Sequence, residues 1–282
     1  MDREPEVVLI KILLGYDGTD FSGWAAQPGK RTVAAVLCEA LQQVLRLPSP
    51  PELTVAGRTD AGVHARAQVA QFELSPDTWA TERDKLPRRL HAVLPPDLRV
   101  HHLEPAPEGF NARFSAIWRR YSYRICDDPA LADPLRRRDT VWYRNRLDLA
   151  AMNAAAEHLQ GEHDFAAFCR KREGATTVRE LRRLDWARDS QGVLVGCVVA
   201  DAFCHNMVRA LVGALLPVGE GSRPVTWPAM VLAAATRDPT VRVVPPHGLS
   251  LEEVRYPPPA ELAARATLTR RIRIPDPAEE DT

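Results

Sequence analysis

The sequence predicts an α+β fold, with two ferredoxin-like halves joined into one extended, mostly antiparallel sheet flanked by helices. Three observations carry the prediction. The first part of the chain reads as β-α-β-β-α-β. The second part repeats that order with longer connections, although no sequence-level repeat accompanies it. Apolar residues switch between the two-residue period of half-buried strands and the period of amphipathic helices, and no apolar run approaches the length of a membrane span.

Residues 7–16 (VVLIKILLGY) are apolar and β-branched at their start, as a buried strand requires, and Asp17-Gly18-Thr19-Asp20 turns the chain. Thr32 is placed to cap a helix whose apolar residues, Val33, Val36, Leu37, Ala40, Leu41, Val44 and Leu45, recur at helical spacing until the prolines at 48, 50 and 51. Residues 53–56 form a short strand that runs into a glycine-bracketed loop. Residues 68–74 (QVAQFEL) alternate as a half-buried strand, residues 86–94 look helical, and residues 98–103 look like a further strand.

In the second part, residues 119–126 (RRYSYRIC) alternate as a strand, and residues 147–159 form an amphipathic helix on Leu149, Met152, Ala155, Ala156 and Leu159. Residues 178–187 and 193–200 read as a hairpin around Asp189-Ser190-Gln191-Gly192. Residues 202–218 and 228–235 read as helices, and residues 249–255 close the fold as a strand. The expected organisation is an N-terminal half over 1–105, a C-terminal half over 106–258, and a peripheral or disordered tail over 259–282, after Pro257-Pro258-Pro259.

The composition is that of an ordinary globular chain: 282 residues, 45% hydrophobic, 26% charged and a formal net charge of zero. The total therefore announces no nucleic-acid partner. The kind of base says more, because 33 of the 37 basic residues are Arg and Lys stands only at 11, 30, 85 and 171. Arg suits bidentate phosphate contacts and stacking on bases, while GC-rich coding produces the same bias without function. Where the arginines sit is thus more telling than their number. The five cysteines, Cys38, Cys126, Cys169, Cys197 and Cys204, match no zinc spacing, and their odd, scattered count argues for reduced thiols in a cytoplasmic protein. The acidic, polar start, Met1-Asp2-Arg3-Glu4-Pro5-Glu6, does not read as a signal peptide.

The most unusual segment runs from Val55 to Ala67. Gly57 and Gly62 bracket Arg58, Thr59 and Asp60, and glycines allow a backbone to approach a ligand closely. On spacing alone the segment reads first as a tight turn in which Asp60 caps a helix and Arg58 is solvated.

The same string, GRTDAGVHA at residues 57–65, resembles the signature of the tRNA pseudouridine synthase A (TruA) family. The resemblance extends in family order to YDGTDFSGW at 16–24, to FNARFSA at 110–116 followed by RRYSY at 119–123, to GEHDF at 161–165, to FCHNMVR at 203–209 with Gly213, and to GLSL at 248–251. Together these motifs span roughly residues 7 to 257, which makes a chance match implausible. One departure is Ala25-Ala26-Gln27, where the family often has Gln straight after the tryptophan; it lies outside the catalytic motif and bears only on fine substrate contacts.

The resemblance implies the pseudouridine-synthase fold and isomerisation of uridine in RNA. The N1–C1′ bond breaks, the uracil rotates, and C5 joins C1′. It further implies tRNA as partner, uridines 38–40 of the anticodon arm as targets, a homodimer, and neither cofactor nor metal. By the same carry-over Asp60 is the catalytic carboxylate, acting as a nucleophile or as a base at the sugar. Arg209 is the cation that offsets the desolvation of that carboxylate. Tyr121 stacks on the extruded uracil, its hydroxyl near C5. Arg58 occupies the space a flipped base vacates, and Arg113 contacts tRNA. Without the resemblance, Tyr121 and Tyr123 read alike as core tyrosines on one strand face, and Arg209 reads as a surface helix arginine, although its apolar neighbours suit an inward-facing one. His64 is expected to hold structure through hydrogen bonds rather than to act as an acid or base.

Residues 113–146 hold nine Arg, at 113, 119, 120, 124, 136, 137, 138, 144 and 146, against four Asp, with Trp118, Tyr121, Tyr123, Trp142 and Tyr143 among them. Basic and aromatic interleaving of this kind suits structured RNA, and the run Arg136-Arg137-Arg138 reads equally well as a solvated face. Two rival functions remain at this stage: a synthase for another RNA, and a non-catalytic RNA-binding protein of the same fold.

Overall fold

A computed structural model of the chain describes residues 6–170 and 176–270. The start of the chain, read above for targeting, and the last part of the expected tail lie outside the described residues. In chain order the strands are β1 (Val8–Tyr16), β2 (Thr54–Val55), β3 (His64–Leu74), β4 (Leu98–Pro105), β5 (Trp118–Cys126), β6 (Val141–Trp142), β7 (Gly161–Asp164), β8 (Val178–Arg188), β9 (Leu194–Ala200) and β10 (Leu249–Arg255). The helices are α1 (Val33–Leu45), α2 (Pro76–Glu82), α3 (Leu86–Val93), α4 (Leu149–Glu157), α5 (Met207–Gly219), α6 (Trp227–Ala233) and α7 (Leu262–Arg270). The α+β expectation holds, and the chain divides into two compact units.

Unit 1 runs to Arg119 and takes back Ser250–Thr269. Its sheet has the order β4-β1-β3-β10, with β2 on β3. β1 lies antiparallel to both β3 (Ile10↔Phe72, Ile12↔Ala70) and β4 (Ile12↔Leu103). β10 runs parallel to β3 through Ser250↔His64 and Leu251↔Ala65. The alternation of β1 explains how both faces are covered. Ile10, Ile12 and Leu14 on one face are fully buried, and so are Leu37 and Leu41 of α1 and Leu86 and Leu90 of α3. Leu9 and Leu13 on the other face pack against Val69, Phe110, Ala112 and Leu262. Helix α1 begins where expected, with the Thr32 side chain accepting from Ala35 N–H.

Burial of Leu262 gives a place to a segment that composition alone marked as peripheral or disordered. Residues 262–270 are helical, with Leu262 and Ala266 buried. The structural division also falls at Arg119/Arg120 rather than at 105/106, with one strand and one helix from the C-terminal side returning to unit 1.

Unit 2 covers Arg120–Leu249. Its sheet order is β5-β9-β8-β7, with β6 parallel to β5 at Ile125↔Val141. β8 and β9 form the expected hairpin, in register from Leu181↔Ala200 to Arg188↔Leu194. Helices α4, α5 and α6 pack on one another and α4 on β8. α5 is apolar almost all round and is buried accordingly. Gly213 is required there, because a Cβ at that position would stand 1.7 Å from the Arg242 carbonyl oxygen. α5 starts at Met207 and not at residue 202, because Asn206 before it sits in the left-handed region (φ 68°) and breaks the helical run.

Candidate active site

The glycine-bracketed loop is built in unit 1 between β2 and β3. Ala56 N–H donates to the Val69 carbonyl and ends the pairing of β2. Arg58 is exposed, Thr59 is buried, and Asp60 is half-buried. Val63 N–H then donates to the Asp60 carbonyl at 3.2 Å, which closes a turn directly before β3. Asp60 therefore lies in a turn at the head of a strand and caps no helix.

The YDGTDFSGW segment packs on this loop, so the two motifs form one local structure. Trp24 N–H donates to the Thr59 carbonyl at 3.1 Å, and Gly62 N–H donates to the Phe21 carbonyl at 3.2 Å. Gly18 comes so close to the loop that a Cβ on it would stand 2.0 Å from the Val63 carbonyl oxygen. Gly18 N–H donates to His64 Nδ1 at 2.9 Å, while Asp17 Oδ1 lies 3.1 Å from the same nitrogen. His64 is buried and does the structural work expected of it.

Beneath the loop lie three polar side chains that sequence reasoning did not single out for this place. Gln68 is fully buried; its Nε2 donates to the Gly57 carbonyl at 2.9 Å and to Tyr16 Oη at 3.2 Å. Tyr16 Oη is 2.7 Å from Thr59 Oγ1. Burial pushes the Tyr16 phenol up to about 12 against the smaller opposing effects of the Thr59 and Gln68 hydrogen bonds. Arg119, 6% exposed, donates from Nη2 to the Ala56 carbonyl at 2.8 Å and to the Arg113 carbonyl at 2.7 Å. The one signal in sequence was a Gln in a strand whose neighbours are apolar.

Arg113, expected to contact RNA, is exposed, with its guanidinium 5.1 Å from the Phe114 ring centroid. Asn111 Oδ1 caps its turn, accepting from Arg113 N–H at 3.1 Å and Phe114 N–H at 2.9 Å. Through Arg119, the segment bearing Arg113 is tied to the root of the Asp60 loop. Arg58, Asp60 and Arg113 thus belong to unit 1, whereas Tyr121 and Arg209 belong to unit 2.

In unit 2 the two tyrosines of β5 differ. Tyr123 is fully buried and donates from Oη to the Pro245 carbonyl at 2.8 Å, with its pKa raised by burial despite nearby Arg209. It is a core tyrosine. Tyr121 is 7% exposed and meets Phe203 edge-to-face, ring centroids 5.1 Å apart. Arg209, on the first turn of α5, donates from Nε to the Val244 carbonyl at 2.7 Å, and its Nη1 lies 3.4 Å from Asn206 Oδ1. The close approach permitted by Gly213 brings the 242–244 segment against α5 and so supplies that carbonyl.

The basic stretch over 113–146 is less free than its charge suggests. Arg119 faces backbone carbonyls, Arg136 pairs with Asp139 and Asp189, and Arg146 pairs with Asp127 and Asp128. Arg113, Arg137, Arg138 and Arg144 remain exposed, as does Trp142. Trp142, Tyr143, Arg144 and Asp128 help to line a cavity of about 340 Å³.

Two of the thiols expected to be reduced are instead bonded to each other: Cys169 pairs with Cys204, Cα–Cα 5.6 Å, and Cys38, Cys126 and Cys197 stay outside the disulfide. Their separation of 35 residues hid the pairing; the Arg170 N–H to His205 carbonyl bond also joins the two segments. Burial, with Glu39 nearby, pushes the Cys38 thiol up to about 11. Among the described residues no three His, Cys, Asp or Glu side chains group as a metal site would need, and no described helix is long and apolar enough to cross a membrane.

The α+β fold and these motifs are those of the pseudouridine synthase class. The model of that class, described as tRNA pseudouridine synthase, matches residues 155–257. A tRNA pseudouridine synthase A of Streptomyces griseus is 58% identical over 96% of this chain and 95% of its own length. That of Frankia casuarinae is 59% identical over 95% and 97%, and that of Mycobacterium leprae is 45% identical over 97% and 99%. The chain belongs to the tRNA pseudouridine synthase A family.

Proposed function

We propose that this chain isomerises uridine to pseudouridine in tRNA, with Asp60 as its catalytic carboxylate. The observation that carries the reading is the half-buried Asp60 in a loop held just before it by hydrogen bonds to the Gly57 carbonyl and the Thr59 hydroxyl, in a chain 58% identical to a tRNA pseudouridine synthase A. The reaction needs no oxidant and no incoming group. The N1–C1′ bond breaks, the C5–C1′ bond forms, and the proton leaves C5 for N1 of the rotated ring by way of solvent or a side chain. Asp60 acts on the nucleoside by covalent attack or as a base at the sugar. Tyr121 stacks on the extruded uracil, Arg209 supplies the compensating cation, and Arg58 fills the gap left in the stem. Arg113 grips the backbone. The targets are uridines 38–40 of the anticodon arm, the working form is a homodimer in the cytoplasm, and no cofactor or metal takes part.

The test is tritium release from tRNA carrying C5-tritiated uridine. Asp60→Ala abolishes release and leaves tRNA binding largely intact; turnover by that variant would refute the assignment. Mapping pseudouridine in total tRNA from cells lacking the protein tests the target positions, and sedimentation tests the dimer.

A further inference from the structure

The loop that carries Asp60 is not held by strand pairing. The pairing of β2 with β3 ends at Val55↔Ala70, and on the other side of the loop β3 pairs with β10 only from His64 onward. The intervening backbone keeps its course by other means. Arg119 Nη2 holds the Ala56 carbonyl at 2.8 Å, and Gln68 Nε2 holds the next carbonyl, that of Gly57, at 2.9 Å. Tyr16 Oη then holds the Thr59 hydroxyl at 2.7 Å, one residue before Asp60.

The chain of hydrogens starts at Gln68. The Gln68 amide has two, directed at the Gly57 carbonyl and at Tyr16 Oη. Tyr16 Oη accepts from Gln68, and the hydrogen shared with Thr59 Oγ1 can come from either hydroxyl. A phenol whose pKa is pushed up to about 12 by burial stays protonated, and so remains a donor, throughout the neutral range. Phe at 16 and Val at 59 would fill nearly the same volume and bury no hydroxyl. A satisfied polar chain in a dry interior specifies one geometry more sharply than an apolar contact does.

We propose that Tyr16 is a positioning residue for the isomerisation, fixing Asp60 through the Thr59 hydroxyl, with Gln68 and Arg119 as its supports beneath the loop. This rests on Asp60 being the catalytic carboxylate. Tyr16 is buried beneath the loop, so its effect is on where the carboxylate stands, and misplacement of a reacting group costs turnover more than binding.

The experiment is a double-mutant cycle with Tyr16→Phe, Thr59→Val and the double variant, read by tritium release over a range of tRNA concentrations and by thermal melting. Each single variant is expected to lower kcat about tenfold, with KM for tRNA within about twofold of the wild type. The double variant is expected to be no worse than the poorer single one, because both remove the same link. Wild-type kcat in a folded single variant overturns the proposal. So does a loss confined to KM, and so do losses that multiply in the double variant, which is what two independent packing defects produce. If Tyr16→Phe does not fold, Thr59→Val alone, read by its kcat and KM, decides. Asp60→Asn, run alongside, separates the two readings. Turnover by Asp60→Asn withdraws the role of Asp60, whereas an inactive Asp60→Asn with unaffected Tyr16→Phe withdraws only the positioning.

Discussion

Gly18→Ala adds a single methyl group at a position far in sequence from Asp60, and the structure says how much it should matter. The new Cβ would stand 2.0 Å from the Val63 carbonyl oxygen, where ordinary contact begins at 3.4 Å, so the two backbones must part by about 1.4 Å. Neither side moves freely. Gly18 N–H is bonded to His64 Nδ1, and Val63 N–H closes the turn on the Asp60 carbonyl. Displacing Val63 therefore drags the turn that contains Asp60. A misplacement of about 1 Å costs on the order of a hundredfold in rate, equivalent to about 2.7 kcal/mol of barrier. Overpacking of this kind costs stability by about 1–3 kcal/mol. The expected outcome is a folded protein with kcat for tritium release down about a hundredfold, tRNA affinity close to wild type, and a melting temperature several degrees lower. A folded Gly18→Ala protein with kcat within about threefold of wild type would show that the approach of the two motifs does not govern Asp60.

Three further expectations concern other parts of the molecule. The Asp127 carboxylate is buried and accepts from Arg188 Nη1 and Nη2 at 2.8 Å each, from Leu147 N–H at 2.9 Å and from Arg146. Burial alone would raise its pKa, but these bonds outweigh it and hold the group below the usual carboxylate range. A depressed folded pKa means stabilisation that is full above the unfolded value, about pH 4, and lost as pH falls below it. Asp127→Asn should accordingly cost about 3 kcal/mol in urea unfolding at neutral pH and flatten the acid limb of stability; an unchanged acid limb counts against the assignment. Arg113→Gln should weaken tRNA binding and reduce the slope of log affinity against log salt by about one, whereas Arg119→Gln should leave the slope alone; filter binding at several salt concentrations decides, and a changed slope for Arg119→Gln returns that residue to the RNA surface. Tyr123→Phe should lose about 1 kcal/mol with the Pro245 hydrogen bond and keep its activity, and a large fall in kcat there would show that β5 contributes its second tyrosine to the chemistry.

Much of the fold could be read from periodicity, and the misses have local causes. β10 was predicted at the residues it occupies, between Gly248 and the prolines from Pro257. β6, with two residues, and β7, with four, are too short for any period to register. α5 was started five residues early, because nothing in composition marks Asn206 as left-handed. Arg119 was counted with the arginines that would grip RNA; charge is visible in a sequence, but burial at 6% and two carbonyl acceptors are not. Cys169 and Cys204 were expected as separate thiols for the same reason, since only the chain path brings their segments together.

The sequence by itself determined the α+β class, the family, and the candidates Asp60, Arg58, Arg113, Tyr121 and Arg209, because periodicity and contiguous motifs are properties of neighbouring residues. Tertiary structure decided what surrounds them. It made the YDGTDFSGW and GRTDAGVHA motifs one packed unit, set Tyr123 apart as core, turned Arg119 inward, and put Tyr16 and Gln68 beneath the Asp60 loop. The physical reason is that a hydrogen bond joining residues 16 and 59, or 68 and 57, depends on strand register and burial, and those are fixed only when the sheet closes.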